Sequence, residues 1–177
     1  LACIVVTLIN TGLQTYGGDM HVAAYGIDNR IVFFFVMMNM GFNQGMQPIA
    51  GYNYGAKKYD RVLEVFRYTL CCVVAFGVLG WIACQFLPNA IVSMFSTDVQ
   101  LNELSSYGLR ILTCLLPLIG FQMVCTNLYQ SIGKAKIAIF LSTTRQLLFL
   151  IPFLLVLPMY WGTDGIWWSL PMADGLS

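Results

Sequence analysis

The chain has 177 residues, 58% hydrophobic and only 10% charged, against roughly 25% charged in an ordinary soluble domain. Nine Lys and Arg against eight Asp and Glu leave a formal net charge of +1, which excludes a basic nucleic-acid surface and an acidic disordered tail. A soluble globular domain is excluded as well, and the partner this composition implies is a lipid bilayer.

Residues 1–18, 31–56, 68–97, 111–133 and 146–163 contain no Asp, Glu, Lys or Arg. A bilayer core takes about 20 mostly apolar residues per helix, because backbone polar groups there must be satisfied within the segment. The pattern predicts an all-α, polytopic transmembrane bundle with helices over residues 1–16, 24–48, 62–87, 104–131 and 137–158, and a sixth begun at 164–177. Uninterrupted runs such as Val32 to Met38 argue against the alternation a β-barrel needs. Leu1 in place of Met, and apolar sequence under way at both ends, read as a chain cut from a longer one.

The connections expected between these helices are Gly17-Gly18-Asp19, Gly51 to Lys58, Pro88 to Glu103, Gly133-Lys134 and Trp161 to Gly165. Ser96, Thr97 or Asp98 is placed to cap the fourth helix, and Asp60 the third. Basic residues collect on alternate connections: Lys57, Lys58, Arg61 and Arg67 at one, Lys134 and Lys136 at another, while the other three hold acids only. The positive-inside rule makes the basic pair cytoplasmic. Trp161, Trp167 and Trp168 suit an aromatic belt near the last external connection.

Three arginines remain inside the helices. Arg30 and Arg110 lie one to two turns from external ends, within snorkelling reach. Arg145 lies about 12 Å into the fifth helix at 1.5 Å per residue, followed by Gln146, and is expected to face a water-filled cavity or a structural partner. On the second helix Arg30, Phe33, Met37, Gln44 and Gln47 share about a third of the circumference. Such a stripe serves a packing seam between helices as well as a cavity wall. Asn127 on the fourth helix belongs to a weaker copy of it, where Pro117 permits a bend. Asp28 reads as a local ion pair with Arg30, leaving few candidates for a proton or cation relay.

No catalytic constellation is legible, so no enzyme, metal site or bound cofactor is expected. His21 is the only histidine and is read as a solvated loop residue; the six cysteines sit in apolar runs and read as reduced packing residues. Gly51 to Gly55 lacks the GxxxxGK[ST] pattern of a phosphate loop.

The run from Gly45 through Gly51-Tyr52-Asn53-Tyr54-Gly55 to Val62 strongly resembles the multidrug and toxic compound extrusion (MATE) family at the connection after its eighth helix. Tyr16-Gly17-Gly18-Asp19, Phe95-Ser96-Thr97-Asp98, Gln130-Ser131-Ile132-Gly133-Lys134-Ala135, Arg145-Gln146 and Asp164-Gly165 follow in matching order. The resemblance implies a bacterial inner-membrane antiporter of twelve helices in two six-helix lobes, of which residues 1–177 are the C-terminal lobe and the N-terminal lobe is absent. It implies export of organic cations or other amphipathic small molecules, driven by Na⁺ or H⁺ as the coupling ion, with the ion site in the absent lobe. Arg30, Phe33, Met37, Gln44, Gln47, Asn127, Arg145 and Gln146 are then the candidates for the substrate cavity or lobe interface. The alternatives are a flippase or exporter of a lipid-linked sugar or other anionic metabolite on the same fold, and a non-transporting membrane protein or membrane-embedded enzyme.

Overall fold

In the computed structural model residues 2–176 are described, except for the side chains of Ala2, Cys3, Leu141, Arg145 and Gln146. Every regular element among them is helical: α1 (Ala2–Gly17), α2 (Asp19–Gly55), α3 (Tyr59–Phe86), α4 (Pro88–Val92), α5 (Val99–Leu112), α6 (Leu116–Ser131), α7 (Ala135–Thr143), a π-helical segment (Thr144–Leu150), α8 (Ile151–Trp161) and α9 (Thr163–Leu176).

α2 is the spine. Its 37 residues extend about 55 Å at 1.5 Å per residue, longer than the roughly 30 Å hydrocarbon core. It packs against α1, α3, α5 and α6 and contributes to all three apolar clusters. Tyr25 joins Val5, Ile9, Leu13, Ile111, Leu154, Ile166 and Trp167, where α1, α5, α8 and α9 meet. Ile31 joins Cys84, Val92 and Leu109, and Met46 and Ala50 join Val62, Val73 and Val124 against α3 and α6. Where α3 crosses α6, a Cβ on Gly77 would stand 3.1 Å from the Pro117 Cα. The small residue brings two backbones together, the means by which helices associate when lipid is as apolar as their side chains.

The connection expected at Gly51 to Lys58 is shorter than the sequence suggests, because α2 runs through Gly55. The helix ends in a Schellman motif: Lys57 N–H donates to the Tyr54 carbonyl and Lys58 N–H to the Asn53 carbonyl. The same motif ends α6, with Gly133 and Lys134 donating to Gln130 and Tyr129. Gly133 takes the left-handed position at φ 79°, whereas at the end of α2 Lys57 takes it at φ 59°, a conformation unfavourable for a side chain with a Cβ. Lys57→Gly is expected to stabilise the protein by about 0.5 kcal/mol after glycine's greater unfolded-state freedom is subtracted. Its thermal unfolding midpoint in detergent should rise, and a fall would show that the Lys57 side chain contributes more than its backbone strain costs.

Other boundaries also differ from expectation. His21 is in the first turn of α2, not in a solvated loop, and its Nδ1 lies 2.6 Å from the Gly17 carbonyl oxygen. Asp98 caps α5, accepting from Gln100 N–H at 3.0 Å. Asp60, expected to cap α3, sits in its first turn, and the cap position is Lys58. The stretch from Pro88 to Glu103 contains α4 and the start of α5. The single helix expected over 104–131 is two, α5 and α6, bent by 48°. The break falls at Thr113–Leu115, just before Pro117, whose missing N–H and fixed φ suit the start of the new helix.

The helix expected at 137–158 is divided by the π-helical segment, seven residues with Arg145 and Gln146 among them. Among the described residues α3 alone is long and apolar enough to cross a bilayer as one straight helix, and α5 with α6 passes as a broken span. α2 is long enough, but its polar residues dilute it.

Candidate functional site: the two polar faces of α2

At 100° per residue α2 carries two opposed polar stripes. The inward stripe is buried and runs Asp28, Ile31, Asn39, Asn43, Met46, Ala50 and Asn53. The outward stripe runs Arg30, Phe33, Met37 and Gln44, all exposed from the bundle. Phe33 and Met37 keep 56% and 58% of their surface open.

Gln47 lies on the flank between the stripes, where it meets α6. Its Nε2 donates to Asn127 Oδ1 at 2.8 Å, and Asn127 Nδ2 donates to the Met123 carbonyl at 2.8 Å. Two residues singled out separately in the sequence thus form one inter-helix bond, while Arg30, Phe33, Met37 and Gln44 present an open face. Arg145 and Gln146 lie in the π-helical segment, and their side chains fall outside the described residues. A double-mutant cycle on Gln47→Ala and Asn127→Ala should give a coupling of about 0.6 kcal/mol, typical of polar pairs between membrane helices. Zero coupling in a reversible unfolding assay would show that water replaces the partner at no cost.

The inward stripe escapes a reading of the sequence alone. Asp28 is fully buried and makes no ion pair with the exposed Arg30, so the expected local pair is corrected: two residues apart on a helix they point about 200° away from each other. Asp28 instead accepts the Ser105 hydroxyl of α5 at 2.5 Å, and its Oδ2 has no hydrogen-bond partner among the described residues. Gly108 of α5 makes room for it: a Cβ there would lie 2.6 Å from Asp28 Oδ2 and 2.5 Å from the Trp167 ring. Trp167, expected in an interfacial belt, is 1% exposed and meets Tyr25 edge-on at 6.0 Å. Trp161 remains exposed.

Further along the stripe Asn43 Nδ2 donates to the Asn39 carbonyl at 2.9 Å, and Asn53 Nδ2 to the Ile49 carbonyl at 2.8 Å. The Oδ1 atoms of Asn39 and Asn43 accept no bond within the protein. The signal that identifies this stripe is its spacing, since positions 28, 39, 43 and 53 fall within a third of a turn of one another.

A cleft of about 200 Å³ separates α6 from α9, lined by Phe121, Gln122, Cys125, Thr126 and Asp174 among others. Among the described residues no three His, Cys, Asp or Glu side chains converge as a metal site would require. Cys71, Cys72, Cys84, Cys114 and Cys125 are free thiols, and Cys84 is buried.

Comparison with known proteins locates this architecture. Residues 2–156 match the MatE family. The multidrug export protein MepA of Staphylococcus haemolyticus is 28% identical over 167 residues, covering 94% of this chain and 36% of that protein. MepA of Staphylococcus aureus strain MSSA476 is 28% identical over 169 residues, covering 96% and 37%. Among solved structures, the MATE multidrug transporter DinF-BH, in complex with a small-molecule drug, superposes with a TM-score of 0.81 at 40% identity, covering 95% of this chain and 38% of that one. The Vibrio cholerae MATE transporter VcmN in its bent form superposes at 0.88 with 18% identity, covering 99% and 40%. The chain therefore spans less than two-fifths of the length of its curated relatives. With an all-helical fold that superposes on these transporters and a family match over most of its length, the chain belongs to the MATE family of multidrug efflux transporters, membrane proteins that are not enzymes.

Proposed function

We propose that residues 1–177 are the C-terminal lobe of a two-lobe, secondary-active exporter of organic cations and other amphipathic compounds in the bacterial inner membrane. Its open face on α2 lines the cavity between the lobes. The observation that carries this reading is that Arg30 and Gln44 stand exposed in one row with Phe33 and Met37. A lipid-facing surface has no use for a guanidinium and an amide at those positions, since each is costly in hydrocarbon. A wet wall facing a second lobe accommodates both, and supplies what an amphipathic cargo needs: flat aromatic and adaptable thioether contact between hydrogen-bonding groups. Met38 and Met40, also exposed, extend the deformable surface. Arg145 and Gln146 are assigned to the same cavity, with Gln47 and Asn127 at its edge. Rocking of the lobes would expose the cavity to each side of the membrane in turn, driven by Na⁺ or H⁺.

The test is accumulation of ethidium in pump-deficient cells expressing the complete transporter that carries this chain, with the Na⁺ and H⁺ gradients collapsed separately. Lowered accumulation that reverts on loss of one gradient supports export and names the coupling ion. Unchanged accumulation at verified membrane expression overturns drug export and favours a narrower anionic or lipid-linked cargo.

A further inference from the structure

We propose that Asp28 is a proton-binding site inside this lobe, loaded and unloaded as α2, α5 and α9 move relative to one another. This rests on the export reading for its role in transport, but the occupancy itself does not.

Asp28 sits where the three helices meet, with no exposed surface. One carboxyl oxygen takes the Ser105 hydroxyl, and the other faces the Gly108 backbone and the Trp167 ring with no donor. The titratable groups that sense its charge are Tyr25 on α2 and Cys84 on α3; neither is a cation. Of the nearby charged side chains, Arg30 and Arg110 are both exposed. An ionised carboxylate buried without a cation costs several kcal/mol, and such a group neutralises instead. A proton does this without demanding space. A metal ion would need several oxygen ligands around it, and on the Oδ2 side the close neighbours are carbon atoms of Gly108 and Trp167.

Ser105 supplies the means of exchange. With Asp28 ionised, its hydroxyl donates to Oδ1. When a proton arrives, an O–H bond forms on the carboxyl group, which then donates to the Ser105 oxygen. The Ser105 hydroxyl hydrogen turns to its second acceptor, the Ala24 carbonyl, 3.5 Å away. One proton is taken up and no other bond is broken. Separation of α2 from α5 would remove the Ser105 donor and admit water to Oδ2, so lobe motion and protonation are linked through a single contact between helices.

The experiment is infrared difference spectroscopy on the purified complete transporter in lipid nanodiscs as the pH is varied, comparing wild type with Asp28→Asn and Ser105→Ala. The wild type should show the carbonyl stretch of a neutral carboxylic acid that Asp28→Asn lacks. Ser105→Ala should keep the band and displace its titration midpoint by about one pH unit, since a hydrogen bond to the charged form is removed. Should Asp28→Asn fail to reach the membrane, the Ser105→Ala displacement decides alone. An identical band in Asp28→Asn, an unmoved midpoint in Ser105→Ala, or a band that answers to Na⁺ at fixed pH overturns the proposal. The export assay is read separately: if wild type moves no dye, the export reading fails while the infrared result still judges Asp28.

Discussion

Gly165→Ala is expected to destabilise the protein by about 3 kcal/mol, at the upper end of overpacking costs, and Gly165→Val to leave little folded protein in the membrane. Gly165 lies in the first turn of α9, folded back against the last turn of α8 around Gly162, which takes a positive φ of 57°. A Cβ at position 165 would collide with the Leu157 carbonyl group and with the Pro158 nitrogen at 2.8 Å. All of these are backbone atoms, so no rotamer change relieves the clash. Opening the α8–α9 hairpin instead would withdraw Ile166 and Trp167 from the cluster they share with Ile9, Leu13 and Leu154. The measurement is the fraction of monodisperse protein after detergent extraction, followed by thermal unfolding. Gly55→Ala is the control: no atom lies within 4 Å of the added methyl, and the helix should gain up to about 0.8 kcal/mol in propensity. Equal behaviour of the two variants would show that the α8–α9 turn is far more deformable than its packing implies.

The same turn shows what can be read in advance. Asp164-Gly165 is visible as a motif, yet motif and composition do not reveal that the glycine is required by backbone approach. Charge-free runs locate the helices, because a membrane core forbids unpaired charge, and Asp98 is legible as a cap because its side chain acts locally. The end of α2 is not: Gly51 and Gly55 suggest a loop, but membrane helices tolerate glycine, and a Schellman closure at Lys57 does the stopping.

Asp28 misleads for a geometric reason. Neighbours in sequence invite pairing, yet Asp28 and Arg30 belong to opposite sides of α2, one facing Ser105 and the other open. Trp167 and Trp168 separate in the same way, one buried and one 38% exposed. The outward stripe is conspicuous because an arginine in an apolar helix draws attention, whereas Asn39, Asn43 and Asn53 pass as ordinary polar residues until the helix is turned. The π-helical segment has no sequence signature of its own.

Arg145→Ala is expected to abolish export, at least a hundredfold in rate, with normal membrane levels. An arginine at the middle of a membrane helix costs about 2.5–3.5 kcal/mol on insertion scales, and this one lies well inside the helical run that begins with α7 at Ala135. It also falls in a π-helical stretch, Thr144–Leu150, a wider-turned backbone that recurs at functional sites. Cost and irregular backbone at one position are what a working residue shows. Arg145→Lys should restore part of the activity if charge is what the cargo or the other lobe senses, and little if the planar fork is needed. Arg110→Ala is the matched comparison: the bond tying α5 to α3 runs from Gln85 Nε2 to the Arg110 backbone carbonyl at 2.8 Å, so removing its exposed side chain should leave export near wild type. Dye efflux and membrane abundance measured together on the three variants decide it. Full export in Arg145→Ala would reduce this arginine to a packing role and move the cavity wall to the α2 face alone.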